Sequence, residues 1–144
     1  MAHAYLIYQR PVDAELQAEL NHGERGHDFG IAIQSPRAKA YFNIARVGMG
    51  HEPDTAVAEA IYQGLYQPTM FMIGMGKQTR LTLGHIFDAG NGYGNDELSV
   101  EHIRKHSSMS VGDLVVNLLD NSVQVCMPMG WYELFDTNLN LNVA

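Results

Sequence analysis

Two short apolar segments in the last third of the chain constrain its fold most strongly. Residues 114–119 (LVVNLL) and 123–127 (VQVCM) are rich in β-branched side chains and flank the turn residues 120–122 (DNS). This spacing is typical of an antiparallel β-hairpin. A further strand is predicted from Gly130 to Phe135, so this part of the chain is expected to form an antiparallel sheet.

The rest of the chain alternates between strand-like segments and short amphipathic ones. Strands are predicted at Ala4–Gln9, Phe29–Gln34, Ala40–Val47, Thr69–Ile73 and Asn138–Val143. Helices are predicted at Val12–Leu20, Thr55–Tyr66 and Leu81–Ala89, with a single helical turn at Val100–His106. Asp13 is the expected N-cap of the first helix, and Gly90 is expected to end the third in a left-handed conformation. We therefore predict one α+β domain over residues 1–144, with two to three short helices packed on an antiparallel sheet or a partly closed β-barrel.

The charge of the chain limits the partners that it can bind. Charged residues make up 17% of the sequence, against about 25% in typical globular domains, and the net charge is −7. The basic residues are scattered, and only Arg104 and Lys105 are adjacent. An acidic protein without a clustered basic face is not expected to bind duplex nucleic acid.

One cysteine and the lack of a long apolar segment favour a cytoplasmic protein without disulfides. Cys126 lies in an apolar run, so we expect a buried small hydrophobic residue rather than a nucleophile. The N-terminal segment lacks the basic region and apolar core of a signal peptide, and no segment approaches the roughly 20 apolar residues that cross a bilayer. Association with a membrane is therefore not expected.

Histidines are the weak candidates for a metal site. His22 and His27 lie in a polar loop together with two carboxylates, and His102 and His106 are four residues apart, as on one face of a helix. Neither group alone supplies three ligands of defined geometry, which a zinc site needs. We therefore predict no metal and no cofactor, although convergence of the two groups in space would indicate a metal-dependent enzyme.

The segment from His106 to Val116 (HSSMSVGDLVV) has the residue types of a catalytic loop or of a corner that begins a strand. No nucleophile elbow, P-loop or C-x-x-C pair accompanies it. Ser108 and Ser110 can bond nearby backbone in ST-turns, Gly112 can adopt positive φ, and Asp113 can form an Asx-turn. We interpret the segment as a structural corner and predict no catalytic residue.

The order of features around this corner is informative. A predicted helix ends near Asn91, the SMSVGD motif then leads into a β-branched strand, and a later strand begins at Gly130 and Trp131. In this order the chain resembles the YodL-like group of small domains, found in phage and plasmid proteins and marked by an R-S-x-S-V-G/S-D-V-V motif ahead of a terminal G-F/W. The resemblance covers about residues 81–135, and the chain has Ser107 where the family has Arg. It implies a mobile-element context and no established activity.

Two apolar segments favour a function through contacts with proteins. A neutral Met-rich segment can adapt to a partner, and the alternating tail can add a strand to a neighbouring sheet. The interaction candidates in these segments are Met70, Met72, Met75, Leu139, Leu141 and Val143. We predict a non-enzymatic phage or mobile-element accessory protein that binds a protein partner in the bacterial host, as an inhibitor of a host or defence factor. The alternatives are a self-assembling structural subunit and a metal-dependent enzyme that uses the four histidines.

Overall fold

The computed structural model describes residues 3–19, 35–45, 52–74, 83–92 and 98–134. Its strands are β1 (His3–Gln9), β2 (Gln67–Gly74), β3 (Leu98–His102), β4 (Leu114–Asn117), β5 (Val123–Cys126) and β6 (Trp131–Glu133). Its helices are α1 (14–19), α2 (Pro36–Ala45), α3 (Pro53–Tyr62) and α4 (Leu83–Gly90). The strands form one antiparallel sheet in the order β3-β2-β1-β4-β5-β6, which stays open within the described residues. The predicted α+β fold is confirmed.

Strand β1 lies inside the sheet because both of its faces are apolar. It pairs with β2 on one side and with β4 on the other, and Tyr5 lies opposite both Met72 and Asn117. Side chains alternate across a strand, so Leu6 enters one core cluster and Ile7 enters the other. The sheet therefore separates two hydrophobic cores.

Helices cover both faces of the sheet. Leu16 of α1, Ile44 of α2 and Val57 of α3 pack in the core that contains Leu6, and all three are fully buried. Burial of each side chain stabilises the fold by about 2 kcal/mol. Helix α4 packs on the opposite face through Ile86, in the core that contains Ile7.

Two local predictions are confirmed by backbone geometry. The Oδ1 atom of Asp13 accepts a hydrogen bond from the backbone N–H of Leu16 at 2.7 Å, as expected of an N-cap. The predicted hairpin is formed by β4 and β5, which pair antiparallel. Asn121 in its turn has a φ of 62°, a left-handed conformation that asparagine tolerates.

The prediction of a strand at Ala40–Val47 is wrong, because α2 extends through Ala45. Ser35 caps this helix by accepting a bond from the backbone N–H of Ala38 at 3.1 Å, and Pro36 occupies its first turn. Packing of α2 against α3 favours the helix over the local strand preference of the aromatic residues. The strand predicted at Phe29–Gln34 lies outside the described residues.

The predicted helical turn at Val100–His106 is also wrong. Its first part belongs to β3, where Val100 pairs with Met72 of β2, and the chain after His102 is irregular. Leu98 of β3 is buried in the core that contains Ile86 of α4, and this burial favours a strand over a helical turn. The strands predicted at Thr69–Ile73 and near Trp131 are confirmed.

Two helix ends differ from their predictions. Helix α3 ends at Tyr62 rather than Tyr66, because Gly64 adopts a φ of 71° and the N–H of Leu65 bonds the carbonyl of Ala60. Gly90 is the last residue of α4, and the left-handed residue is Gly92, with a φ of 88°. A side chain at Gly90 would meet the side chain of Met109, which would have to shift to make room.

Candidate functional site

A buried polar network lies at one end of the sheet, around Asp113. Asp113 is only 3% exposed and lies immediately before β4. The Oδ2 atom accepts hydrogen bonds from Gln9 Nε2 and from the backbone N–H of Ser110, both at 2.9 Å. Gln9 Oε1 in turn accepts a bond from Thr69 Oγ1 at 2.7 Å. These bonds join the ends of β1, β2 and β4.

The same network anchors the β3–β4 loop, residues 103–113, as it passes the ends of β2 and β1. Gln9 Nε2 lies 3.2 Å from the carbonyl oxygens of Ser107 and Ser108. The N–H of Ile103 donates to the carbonyl of Thr69 at 2.9 Å. Side chains and backbone of the two inner strands therefore hold the loop.

Arg10 binds the backbone on the other side of the corner. Its Nη2 donates to the carbonyl of Val111 at 3.0 Å and its Nη1 to the carbonyl of Tyr41 at 3.1 Å. The guanidinium also lies 4.5 Å above the Tyr41 ring, in a cation–π contact. Tyr66 donates its hydroxyl to the carbonyl of Gly112 at 2.6 Å. Two carbonyls of the corner are thus satisfied by Arg10, the residue after β1, and by Tyr66, the residue before β2.

Burial dominates the electrostatics of this corner. It raises the pKa of Asp113 to about 6, against the opposing effects of the Gln9 and Ser110 hydrogen bonds and of the charge on Arg10. Burial also raises the pKa of the Cys126 thiol to about 11. Cys126 therefore stays protonated at neutral pH, in agreement with the prediction of a buried, unreactive residue.

The contacts of Asp113 assign a structural role to the motif. The predicted Asx-turn would point forward along the chain, whereas the carboxylate binds backward to the amide of Ser110. The serines take part through the Ser108 carbonyl and the Ser110 amide, and both side chains are exposed. Gly112 adopts a φ of 93°, where a side chain would collide with Ile44. The corner is held by a carboxylate and a left-handed glycine rather than by serine hydroxyls.

His102 and His106 come together, but not through a helix. The Nδ1 atom of His102 lies 2.7 Å from Nε2 of His106, because the loop folds back beside the end of β3. Two nitrogens that bind one tetrahedral zinc ion lie about 3.3 Å apart, so this separation is that of a hydrogen bond. No group of three or more metal-ligating side chains occurs in the described part of the chain. His22 and His27 lie outside it.

The other predicted residues take varied positions. Met70 and Met72 are fully buried in the α4 core, where they fill space instead of forming the adaptable surface that the sequence favoured. Asn91 bonds the Phe87 carbonyl through its side chain, and Trp131 packs edge-on against the Phe87 ring at 6.4 Å. Met75, Leu139, Leu141 and Val143 lie outside the described residues.

Sequence reasoning missed Gln9, Arg10 and Thr69. Gln9 contacts Asp113 across 104 residues of sequence, Arg10 contacts Val111 across 101, and Thr69 contacts Gln9 across 60, so no local pattern indicates them. The one available signal is the placement of Gln9 and Arg10 directly after an apolar strand, because a polar side chain at a strand end can bind a neighbouring loop.

Comparison of the chain with protein-family models gave no match, and neither curated proteins nor solved structures gave one. The YodL-like resemblance therefore stays a prediction. Among the described helices, none has the length and apolar character to cross a membrane.

Proposed function

We propose that this protein is a non-enzymatic accessory protein of a phage or another mobile element. It acts through protein–protein contacts in the cytoplasm of the bacterial host, as an inhibitor of a host or defence factor. The resemblance of the SMSVGD corner to YodL-like domains supports the context. The carboxylate of Asp113 accepts hydrogen bonds from Gln9 and Ser110 of its own chain, which supports a non-enzymatic role for that corner.

The observation that carries the proposed binding role is the exposure of large apolar side chains at both turns of the β4–β5–β6 unit. Met129, between β5 and β6, is 93% exposed. Leu119, between β4 and β5, is 55% exposed, and its neighbour Leu118 is exposed as well. Covering one such side chain stabilises a complex by about 1.5–3 kcal/mol before the cost of association. Turns need no apolar residue for their own geometry, so these side chains favour a partner.

The test compares partner capture by matched variants of the full chain. Wild type, Met129→Ser and Leu119→Ser are used as baits in host lysate, with Ser99→Ala on β3 as an exposed control. We expect a defined host protein to bind wild type and the control, and to be depleted at least fivefold with one of the turn variants. Equal recovery with all four baits, or no recovered protein, contradicts the proposal.

Self-assembly is a second candidate, favoured by the open edges of the sheet. β3 and β6 are the terminal strands, so each pairs on one side only within the described residues. Edge strands offer backbone groups to a further strand, and the alternating residues 138–143 have the pattern of one. Size-exclusion chromatography with light scattering tests this candidate. A monomer at all concentrations, unchanged by deletion of residues 138–144, contradicts it.

A further inference from the structure

The rings of His102 and His106 are arranged edge to edge rather than face to face. Their centres are 4.9 Å apart and their planes are inclined by only 20°. The facing nitrogens are 2.7 Å apart, and the difference between the two distances is about the half-widths of two imidazole rings. The nitrogens therefore point at each other nearly in the ring planes, which is the geometry of an N–H···N hydrogen bond.

The neighbouring carbonyl fixes which nitrogen carries each proton. His106 Nδ1 lies 2.6 Å from the carbonyl oxygen of Ser107. A carbonyl only accepts, so His106 must carry its proton on Nδ1, and its Nε2 must accept in the neutral pair. His102 then donates from Nδ1. Its remaining nitrogen, Nε2, holds a lone pair, and the hydrogen bonds of His102 to described residues use Nδ1 alone.

We propose that His102 Nε2 is a nucleophilic modification site that accepts a phosphoryl group from a small anionic phosphoryl donor. The residue is exposed, and the orientation of its ring by a second hydrogen-bonded group follows the logic of activated nucleophiles. The donor is assigned by charge. Arg104 and Lys105 follow directly in the loop, and both are exposed. Two acidic residues flank this stretch in sequence: Glu101 precedes His102 on β3 and so faces the other side of the sheet, and Asp113 is buried. This local surplus of positive charge is unusual in a chain of net charge −7.

The transfer balances through the histidine pair. The Nε2 lone pair of His102 forms the N–P bond while the bond from phosphorus to the leaving group of the donor breaks. The positive charge that develops on the ring is removed when the Nδ1 proton of His102 passes to Nε2 of His106. His106 keeps its own Nδ1–H on the Ser107 carbonyl throughout. Transfer of a doubly charged group beside the loop changes the surface charge of this end of the sheet, which gives modification a route to altered partner binding.

Phosphoramidate, which releases ammonia as it transfers its phosphoryl group, is the probe for the full-length protein. Phosphohistidine is located by mass spectrometry under non-acidic conditions and assigned to Nε2 by NMR. We expect His102 to be modified at least about tenfold faster than His85 of α4, and His106→Asn to slow His102 by about tenfold, the lower end for loss of an orienting partner. Asparagine at position 106 keeps an N–H donor where His106 has Nδ1, and it removes the Nε2 atom that accepts the proton of His102. Lack of preference for His102, or an unchanged rate in His106→Asn, overturns the proposal.

Two further measurements separate the parts of the proposal. Lys105→Gln should slow phosphoramidate but leave the rate with diethyl pyrocarbonate, an uncharged electrophile, unchanged. If Lys105→Gln changes the rates with the two probes by the same factor, the recognition of an anionic donor is contradicted. Imidazole nitrogen NMR of the unmodified protein should show His102 and His106 protonated on Nδ1, and a proton on Nε2 of His102 in the neutral pair overturns the nucleophile assignment whatever the variants do.

Discussion

Replacement of Asp113 by Asn should remove a dependence of stability on pH that runs opposite to that of an ordinary paired carboxylate. The carboxylate is buried, and burial outweighs its two hydrogen bonds, so its pKa is raised from the usual 3.8 to about 6. Between these two values the folded protein binds more of this proton than the unfolded chain. The contribution of Asp113 to stability is therefore fully present below about pH 4 and is lost as the pH rises through about 6.

The magnitude follows from the shift. A difference of about two pKa units corresponds to about 3 kcal/mol between the two protonation states. Asparagine has nearly the same shape and cannot titrate, so the variant lacks this contribution. Part of this contribution is already lost at pH 4.5, so the stability of the wild type relative to Asp113→Asn should fall by about 2 kcal/mol between pH 4.5 and pH 7.5.

Urea unfolding provides the assay, with the fluorescence of the single tryptophan as the signal. Trp131 lies in β6 and contacts Phe87 of α4, so its emission reports on the packing of the sheet against that helix. Free energies of unfolding are measured for both proteins at four pH values from 4.5 to 7.5, and only their difference is interpreted. Groups that titrate alike in both proteins contribute equally to the two free energies of unfolding, so their contributions cancel in the difference.

Asp120→Asn is the matched control. Asp120 is exposed in the β4–β5 turn, and the side-chain hydroxyl and backbone N–H of Ser122 lower the pKa of its carboxyl. Its small contribution is present at neutral pH and is lost as the pH falls, the opposite sign to Asp113. If the difference for Asp113→Asn is flat, or grows in favour of the wild type with rising pH, then hydrogen bonding rather than desolvation controls this carboxylate and our reasoning is refuted.

Substitutions at three further positions test the geometry of the corner and of α1 in the same unfolding assay. Ser110→Ala should change stability by less than about 0.5 kcal/mol, because the backbone N–H makes the bond to Asp113, and a loss above about 1 kcal/mol would assign the bond to the hydroxyl instead. Gly112→Ala should cost about 3 kcal/mol or more, because its φ of 93° and the nearby Ile44 leave no place for a side chain. Asp13→Ala should cost about 1 kcal/mol and Asp13→Ser little, and equal losses would contradict an N-cap role.

Local signals were sufficient for part of this fold. The hairpin of β4 and β5 was predictable because its turn residues tolerate the conformation that Asn121 adopts. The strand at Ala40–Val47 was predicted wrongly, although the Ser35-Pro36 pair is itself a helix-start signal. The aromatic residues after it favoured a strand locally, whereas the Ser35 cap and the packing of α2 against α3 favour the helix.

The candidate site was predictable only in its local half. Gly112 and Asp113 stand in a pattern that indicates a corner, and the sequence supplied that interpretation. The partners of the carboxylate come from β1 and β2, and the separation of Gln9 from Asp113 is 104 residues. The four-residue spacing of His102 and His106 predicted only a shared face of a helix, whereas the two rings meet at the end of a strand and an irregular loop. Contacts of this kind depend on the path of the backbone, which single-sequence patterns do not specify.

The register of β4 against β1 is also fixed by the hydrogen bond of Gln9 to Asp113. β4 begins at the next residue, and Leu114 lies opposite Tyr8 of β1. Because Gln9 follows Tyr8, its bond to Asp113 extends the same register by one polar pair. A slip of β4 by one residue against β1 would break this bond between Gln9 and Asp113. It would also turn Leu114 toward the α4 core, because side chains alternate between faces. The hydrogen bond between Gln9 and Asp113 therefore favours the observed register of β4 over a slip by one residue.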